Sequence, residues 1–68
     1  MMKITLKAAR VNAGLTQKAA ARALGVSNTT LVNWENEKNL PNQKYINAIC
    51  DLYGVPYDTL LFSSANPV

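Results

Sequence analysis

Apolar positions recur along this chain at helical spacing, in short runs that small polar residues open and glycines close. In the first run Leu6, Ala9, Arg10 and Ala13 share one helical face, and Thr5 precedes them as an N-cap. Ile4 is placed to staple onto Ala9, and Gly14 suits a stop, so the pattern predicts helix 1 at about residues 6 to 13. Thr16 then caps QKAAARAL, a run of strong helix formers ended by Gly25, which is helix 2. Ser27 is the next N-cap, and Leu31 and Trp34, three apart, place helix 3 at roughly Asn28 to Asn36. After the loop EKNLPN, with Pro41 as breaker and Asn42 as cap, Tyr45, Ile46, Ile49, Cys50 and Tyr53 form the apolar stripe of helix 4, about Gln43 to Tyr53. Gly54 closes it. Pro56 suits the first turn of a short helix 5 through YDTLLF, and residues 63–68, SSANPV, read as a flexible tail. No stretch carries a strand pattern. The expected fold is all-α, a compact five-helix bundle formed by one domain over residues 1–68.

The connection between helices 2 and 3 is the most constrained part of this pattern. Gln17 through Trp34 makes a two-turn helix, a glycine-containing turn and a second helix, the helix-turn-helix arrangement. Ala21 must be small where the two helices approach, and Gly25 permits a positive φ in the turn. Leu24, Val26, Leu31 and Trp34 supply the apolar contacts that set the crossing angle. With Leu31, Trp34 and Glu35 turned inward, the opposite face of helix 3 carries Asn28, Thr29, Val32, Asn33 and Asn36.

Charge adds a direction. Residues 1–34 hold Lys3, Lys7, Arg10, Lys18 and Arg22 and no acid, whereas residues 35–68 hold Lys38 and Lys44 against Glu35, Glu37, Asp51 and Asp58. Such an imbalance either draws a polyanion to one side of a small domain or is a solvated basic face. The chain has no histidine, one cysteine (Cys50) and four acids, two of them beside helix ends, which leaves nothing from which to build an acid–base pair or a metal site. The expectation is a non-enzymatic protein with no cofactor, no metal and no evident small-molecule ligand. No signal peptide and no run of about 18 apolar residues is present, so a soluble, cytoplasmic protein without membrane contact is expected.

The segment GLTQKAAARALGVSNTTLVNWEN, with LKAAR ahead of it and P…I..ICDLYGVPYDTLLF behind, resembles the Cro/phage-repressor (lambda-repressor-like, XRE-like) family of helix-turn-helix domains. The resemblance covers about residues 5 to 62, with Arg10, Gly14, Thr16-Gln17, Ala21, Gly25-Val26-Ser27, Glu35-Asn36 and Pro41 in register. It implies a small five-helix bundle that binds double-stranded operator DNA, usually as a homodimer on a two-fold symmetric site, in a transcriptional repressor. By the same resemblance Gln17 is a phosphate contact, and Asn28, Thr29 and Asn33 read bases. Asparagine can pair bidentately with adenine, and Thr29 or Val32 can meet a thymine methyl, so A·T pairs are expected under helix 3. Ser27 caps helix 3 and, by resemblance, also touches phosphate or a nearby base. Asn36 and Lys38 are either backbone contacts or solvated surface. The resemblance further implies a partly buried Arg10–Glu35 ion pair.

Departures from the family pattern mark where these implications weaken. Glu37 stands where the family often has glycine, so a positive-φ helix end must use Asn36 or a strained Glu37. Ala20 replaces a larger aliphatic residue, with Trp34 available to fill the space, and Pro56 stands where a capping Ser or Thr is frequent. In VPYDTLLF, Val55 and Leu60 are expected to face the core, leaving some of Tyr57, Leu61 and Phe62 either to a second copy or to the bottom of the core. A helical protein–protein interaction module that keeps the fold without specific DNA binding is the competing reading, and it would call for exposed apolar anchors on helix 3.

Overall fold

The computed structural model describes residues 3–61, in the order β1 (Ile4–Thr5), α1 (Leu6–Asn12), α2 (Gln17–Leu24), α3 (Asn28–Glu35), α4 (Gln43–Tyr53), a 3₁₀ turn (Tyr57–Thr59) and β2 (Leu60–Leu61). Each α-helix begins at a residue whose side-chain oxygen accepts a backbone N–H three residues on. Thr5, Thr16 and Ser27 do so at 3.0 Å and Asn42 at 3.2 Å. These bonds satisfy one of the unpaired donors that every helix start leaves. The expected tail at 63–68, and Phe62, lie outside the described residues.

Helix ends are set by the same local chemistry. At α2, Gly25 takes φ +74°, and the N–H of Val26 reaches back to the carbonyl of Ala21 at 3.0 Å, turning the chain toward α3. At α3 the corresponding left-handed residue is Glu37, at φ +64°. Its N–H bonds to the Trp34 carbonyl and that of Lys38 to the Asn33 carbonyl, at 3.2 and 2.9 Å. The glycine-type helix stop is thus built on a residue with a Cβ. Among the described residues Glu37 is the one non-glycine with positive φ.

Two expectations fail at the end of the chain. Among the described residues there is no helix 5, and a strand pair exists. Pro56 is extended (ψ 153°), a single 3₁₀ turn follows, and Leu60 returns to extended backbone. Thr59 closes the turn, donating both its N–H and its hydroxyl to the Pro56 carbonyl at 3.1 and 2.8 Å. β2 then pairs in parallel with β1, Ile4 opposite Leu60 and Thr5 opposite Leu61. Extended backbone throws successive side chains to opposite sides. Leu60 is accordingly 2% exposed and Leu61 40%, a separation that a helix, with its 100° step, makes less completely. A three-residue turn also gains too few hydrogen bonds to propagate as a helix.

The core draws on every helix. Leu6 and Ala9 from α1, Ala20, Ala21 and Leu24 from α2, Leu31 and Trp34 from α3, and Ile49 and Tyr53 from α4 pack together with Leu60. Val55 joins the margin of this cluster, as expected. Trp34 is a core residue and its ring meets that of Tyr45 at 5.3 Å with a 48° tilt. Ala20 and Ala21, both buried, keep α2 close to its neighbours, α3 above all.

Candidate nucleic-acid interface

The anchor of the candidate interface is a charge buried behind it. Arg10 on α1 and Glu35 at the end of α3 form an ion pair, Nε to Oε2 at 2.6 Å and Nη2 to Oε1 at 3.3 Å, with their side chains 8% and 3% exposed. Such a pair survives burial only when its remaining polar atoms are satisfied. Here Nη1 of Arg10 donates to the carbonyl of Leu15 at 2.8 Å, and the Gln17 amide donates to Oε1 of Glu35 at 3.1 Å. One network therefore ties α1, the α1–α2 turn, the first residue of α2 and the last residue of α3. The Arg10–Glu35 expectation is met, and its extension to Gln17 is new.

Tyr53 of α4 stands beside this network. Its hydroxyl oxygen is buried and has no hydrogen-bond partner among the described residues. Burial, with a smaller push from the Glu35 carboxylate and an opposing one from Arg10, raises its pKa to about 12.

Against that anchored back, α3 turns its other side outward. Asn28, Thr29 and Asn36 are exposed and Val32 and Asn33 half-exposed, while Leu31 and Trp34 are buried. The five outward residues recur at helical period along one strip. Three carboxamides, a hydroxyl and a branched methyl pair are offered there, and none of these side chains is held by an intramolecular hydrogen bond among the described residues. Lys38 lies exposed just beyond the strip. Val32 is the one apolar side chain on this face, and no aromatic or other large apolar side chain joins it there.

Gln17 and Ser27 are placed differently from the strip. The Gln17 side chain is half-buried and one amide hydrogen is committed to Glu35, leaving the second. Ser27 caps α3 and also spends its hydroxyl proton, donating to Oγ1 of Thr30 at 2.9 Å. A phosphate oxygen only accepts, so the free proton at this corner belongs to Thr30, a residue the sequence reading passed over. The signal was present as the pair of hydroxyls at the N-cap and third helical positions.

The charge picture also sharpens. Of the five front-half cations, Arg10 is neutralised inside the fold, leaving exposed Lys3, Lys7, Lys18 and Arg22. Lys44 lies over the Tyr45 ring, Nζ 5.5 Å from its centre. Among the described residues, no helix is long and apolar enough to cross a membrane.

Two adjoining helices joined at a left-handed glycine form a helix-turn-helix, and comparison with known proteins places the chain in a family of that name. The helix-turn-helix family profile matches residues 6–60, and the chain belongs to the XRE-type helix-turn-helix family. It is 41% identical over 56 residues to the HTH-type transcriptional regulator ImmR of Bacillus subtilis (strain 168). That alignment takes in 82% of this chain and 44% of ImmR, so the chain spans less than half the length of this relative. No solved structure matches it significantly.

Proposed function

We propose that this domain binds double-stranded DNA sequence-specifically, inserting α3 into the major groove of an operator as the DNA-binding part of a transcriptional repressor. The observation that carries the reading is the uncommitted strip Asn28, Thr29, Val32, Asn33 on a helix whose back is locked by a buried ion pair. Family membership and the likeness to ImmR support it. In this reading Asn28 and Asn33 pair with adenine edges, and Thr29 and Val32 pack on thymine methyls. Gln17, through its second amide hydrogen, Thr30 with Ser27 behind it, Asn36 and Lys38 hold the phosphate backbone and set register.

The size of the domain supports a dimer. The domain measures 31 × 23 × 19 Å, and successive major grooves on one side of DNA lie about 34 Å apart. One copy reads one half-site, and a second copy on a two-fold symmetric operator reads the other. Among the described residues after α4, Tyr57 and Leu61 are the exposed large apolar side chains, and in this reading a second copy packs on them.

Selection from random duplexes followed by gel shifts at two salt concentrations tests the proposal. The expected outcome is a site with A·T pairs in each half and an affinity that falls steeply with salt. Asn33→Ala should cost about 1–3 kcal/mol and relax preference at one position, whereas Lys38→Ala should weaken all sequences alike. Enrichment of sites with only G·C pairs under α3, or affinity indifferent to salt, would sink it.

A further inference from the structure

The outer face of α2 is a second surface, separate from the base-reading strip. Ala20, Ala21 and Leu24 turn into the core, and Lys18, Ala19, Arg22 and Ala23 turn away from it. With Thr16 these four line an open trough of about 430 Å³. Its floor is Ala19 and Ala23, one helical turn apart. Lys18 and Arg22 stand at the same spacing along one side, on long stems that can lie along apolar surface while their charged heads reach out.

Lys18 is badly placed for the free protein, whereas Arg22, in the last turn of α2, has the helix dipole in its favour. Like charges four residues apart repel on a helix, and Lys18 sits in the first turn of α2, where the helix dipole disfavours cations. α2 contains no acid, and neither Lys18 nor Arg22 has an ion-pair partner among the described residues. An anion supplied from outside relieves both conflicts at once. A bare phosphate backbone would satisfy the cations but has no use for a floor of methyl groups. A helix does. Small residues let two helices approach to the short end of the 8–10 Å interaxial range, and carboxylates one turn apart on that helix match the Lys18–Arg22 spacing.

We infer that the outer face of α2 docks an acidic amphipathic helix of another protein, with small or apolar residues over Ala19 and Ala23 and a pair of carboxylates on Lys18 and Arg22. The surface leaves the α3 strip free, and the proposal is independent of whether the DNA reading holds.

The test is amide chemical-shift titration of the full chain. The probe is a synthetic Ala/Leu helical peptide with two Glu residues four apart, set against the same peptide with Gln in their place. Shifts should concentrate on residues 16–23, and binding should weaken about tenfold or more with the Gln peptide, with Lys18→Glu/Arg22→Glu and with Ala23→Trp. All three altered positions are exposed, and circular dichroism confirms that the variants fold. Ala23→Trp fills the trough without changing charge, which separates docking from plain electrostatic attraction. Shifts spread equally over Lys7, Lys38 and Lys44, no saturable binding, or full binding by Ala23→Trp would each overturn the proposal. A short random-sequence DNA duplex is the rival occupant. If it shifts residues 16–23 and Ala23→Trp weakens it as much as the peptide, the trough holds nucleic-acid backbone instead.

Discussion

Replacing Glu37 by glycine should make the domain more stable, although Glu37 is exposed and its substitution removes no buried contact. At φ +64° an L-residue pays steric strain of about 1–2 kcal/mol between its Cβ and the neighbouring backbone. Glycine escapes it but gives back about 0.5–1 kcal/mol, because its unfolded chain is freer. The two hydrogen bonds that define the stop, Glu37 N–H to Trp34 and Lys38 N–H to Asn33, are backbone bonds and survive the change. The net gain is about 0.5–1 kcal/mol, on the order of 3–6 °C in Tm for a domain of this size. Thermal unfolding followed by circular dichroism measures it. Glu37→Ala isolates the cause, since it discards the carboxylate and keeps the Cβ, and it should leave Tm nearly unmoved; Glu37→Asn should fall between. If alanine stabilises as much as glycine, the benefit is electrostatic and the strain argument is wrong.

Arg10→Met should leave Glu35 buried with Gln17 as its remaining side-chain donor, a loss of about 3–5 kcal/mol in urea unfolding. That rivals the whole stability expected of 68 residues at roughly 0.05–0.15 kcal/mol each. Arg10→Met combined with Glu35→Leu should recover most of it, and a single variant within about 1 kcal/mol of the parent would show that the pair contributes little. Tyr53 contributes to the alkaline behaviour. Its pKa is about 12 in the fold against 10.0 when unperturbed, so the unfolded chain ionises first. The Tyr53 contribution is constant below pH 10 and is lost as pH rises toward 12. Tyr53→Phe should flatten that decline in unfolding experiments across the window and, by deleting an unpartnered buried hydroxyl, be neutral to stabilising near pH 7. An unchanged alkaline profile in the variant would assign the decline to other groups.

What could be read in advance was what neighbouring residues decide among themselves. The four caps and the stops at Gly14, Gly25 and Gly54 each depend on a side chain and a backbone group within a few positions. Even the conflict at Glu37 was visible, because a helix that ends there needs a left-handed residue. The strand pair was not. Each strand is two residues long, its partner lies at the other end of the chain, and the apolar run Leu60-Leu61-Phe62 fits a helix or a strand equally well. Arg10–Glu35 came from family resemblance. The extension to Gln17, and the Ser27-to-Thr30 proton, depend on side-chain directions that spacing alone leaves open.

The β1–β2 bridge has a mechanical meaning. The chain enters the described fold at Ile4 and leaves it at Leu61, and the two short strands run side by side in the same direction. A pull on the two ends therefore slides the strands past each other and loads their hydrogen bonds together, rather than peeling them one at a time. Leu60, buried on the core, must be drawn out in the same event. Tension applied through attached segments meets this clasp before it reaches α2 and α3, and the α3 strip stays in position until the clasp gives way.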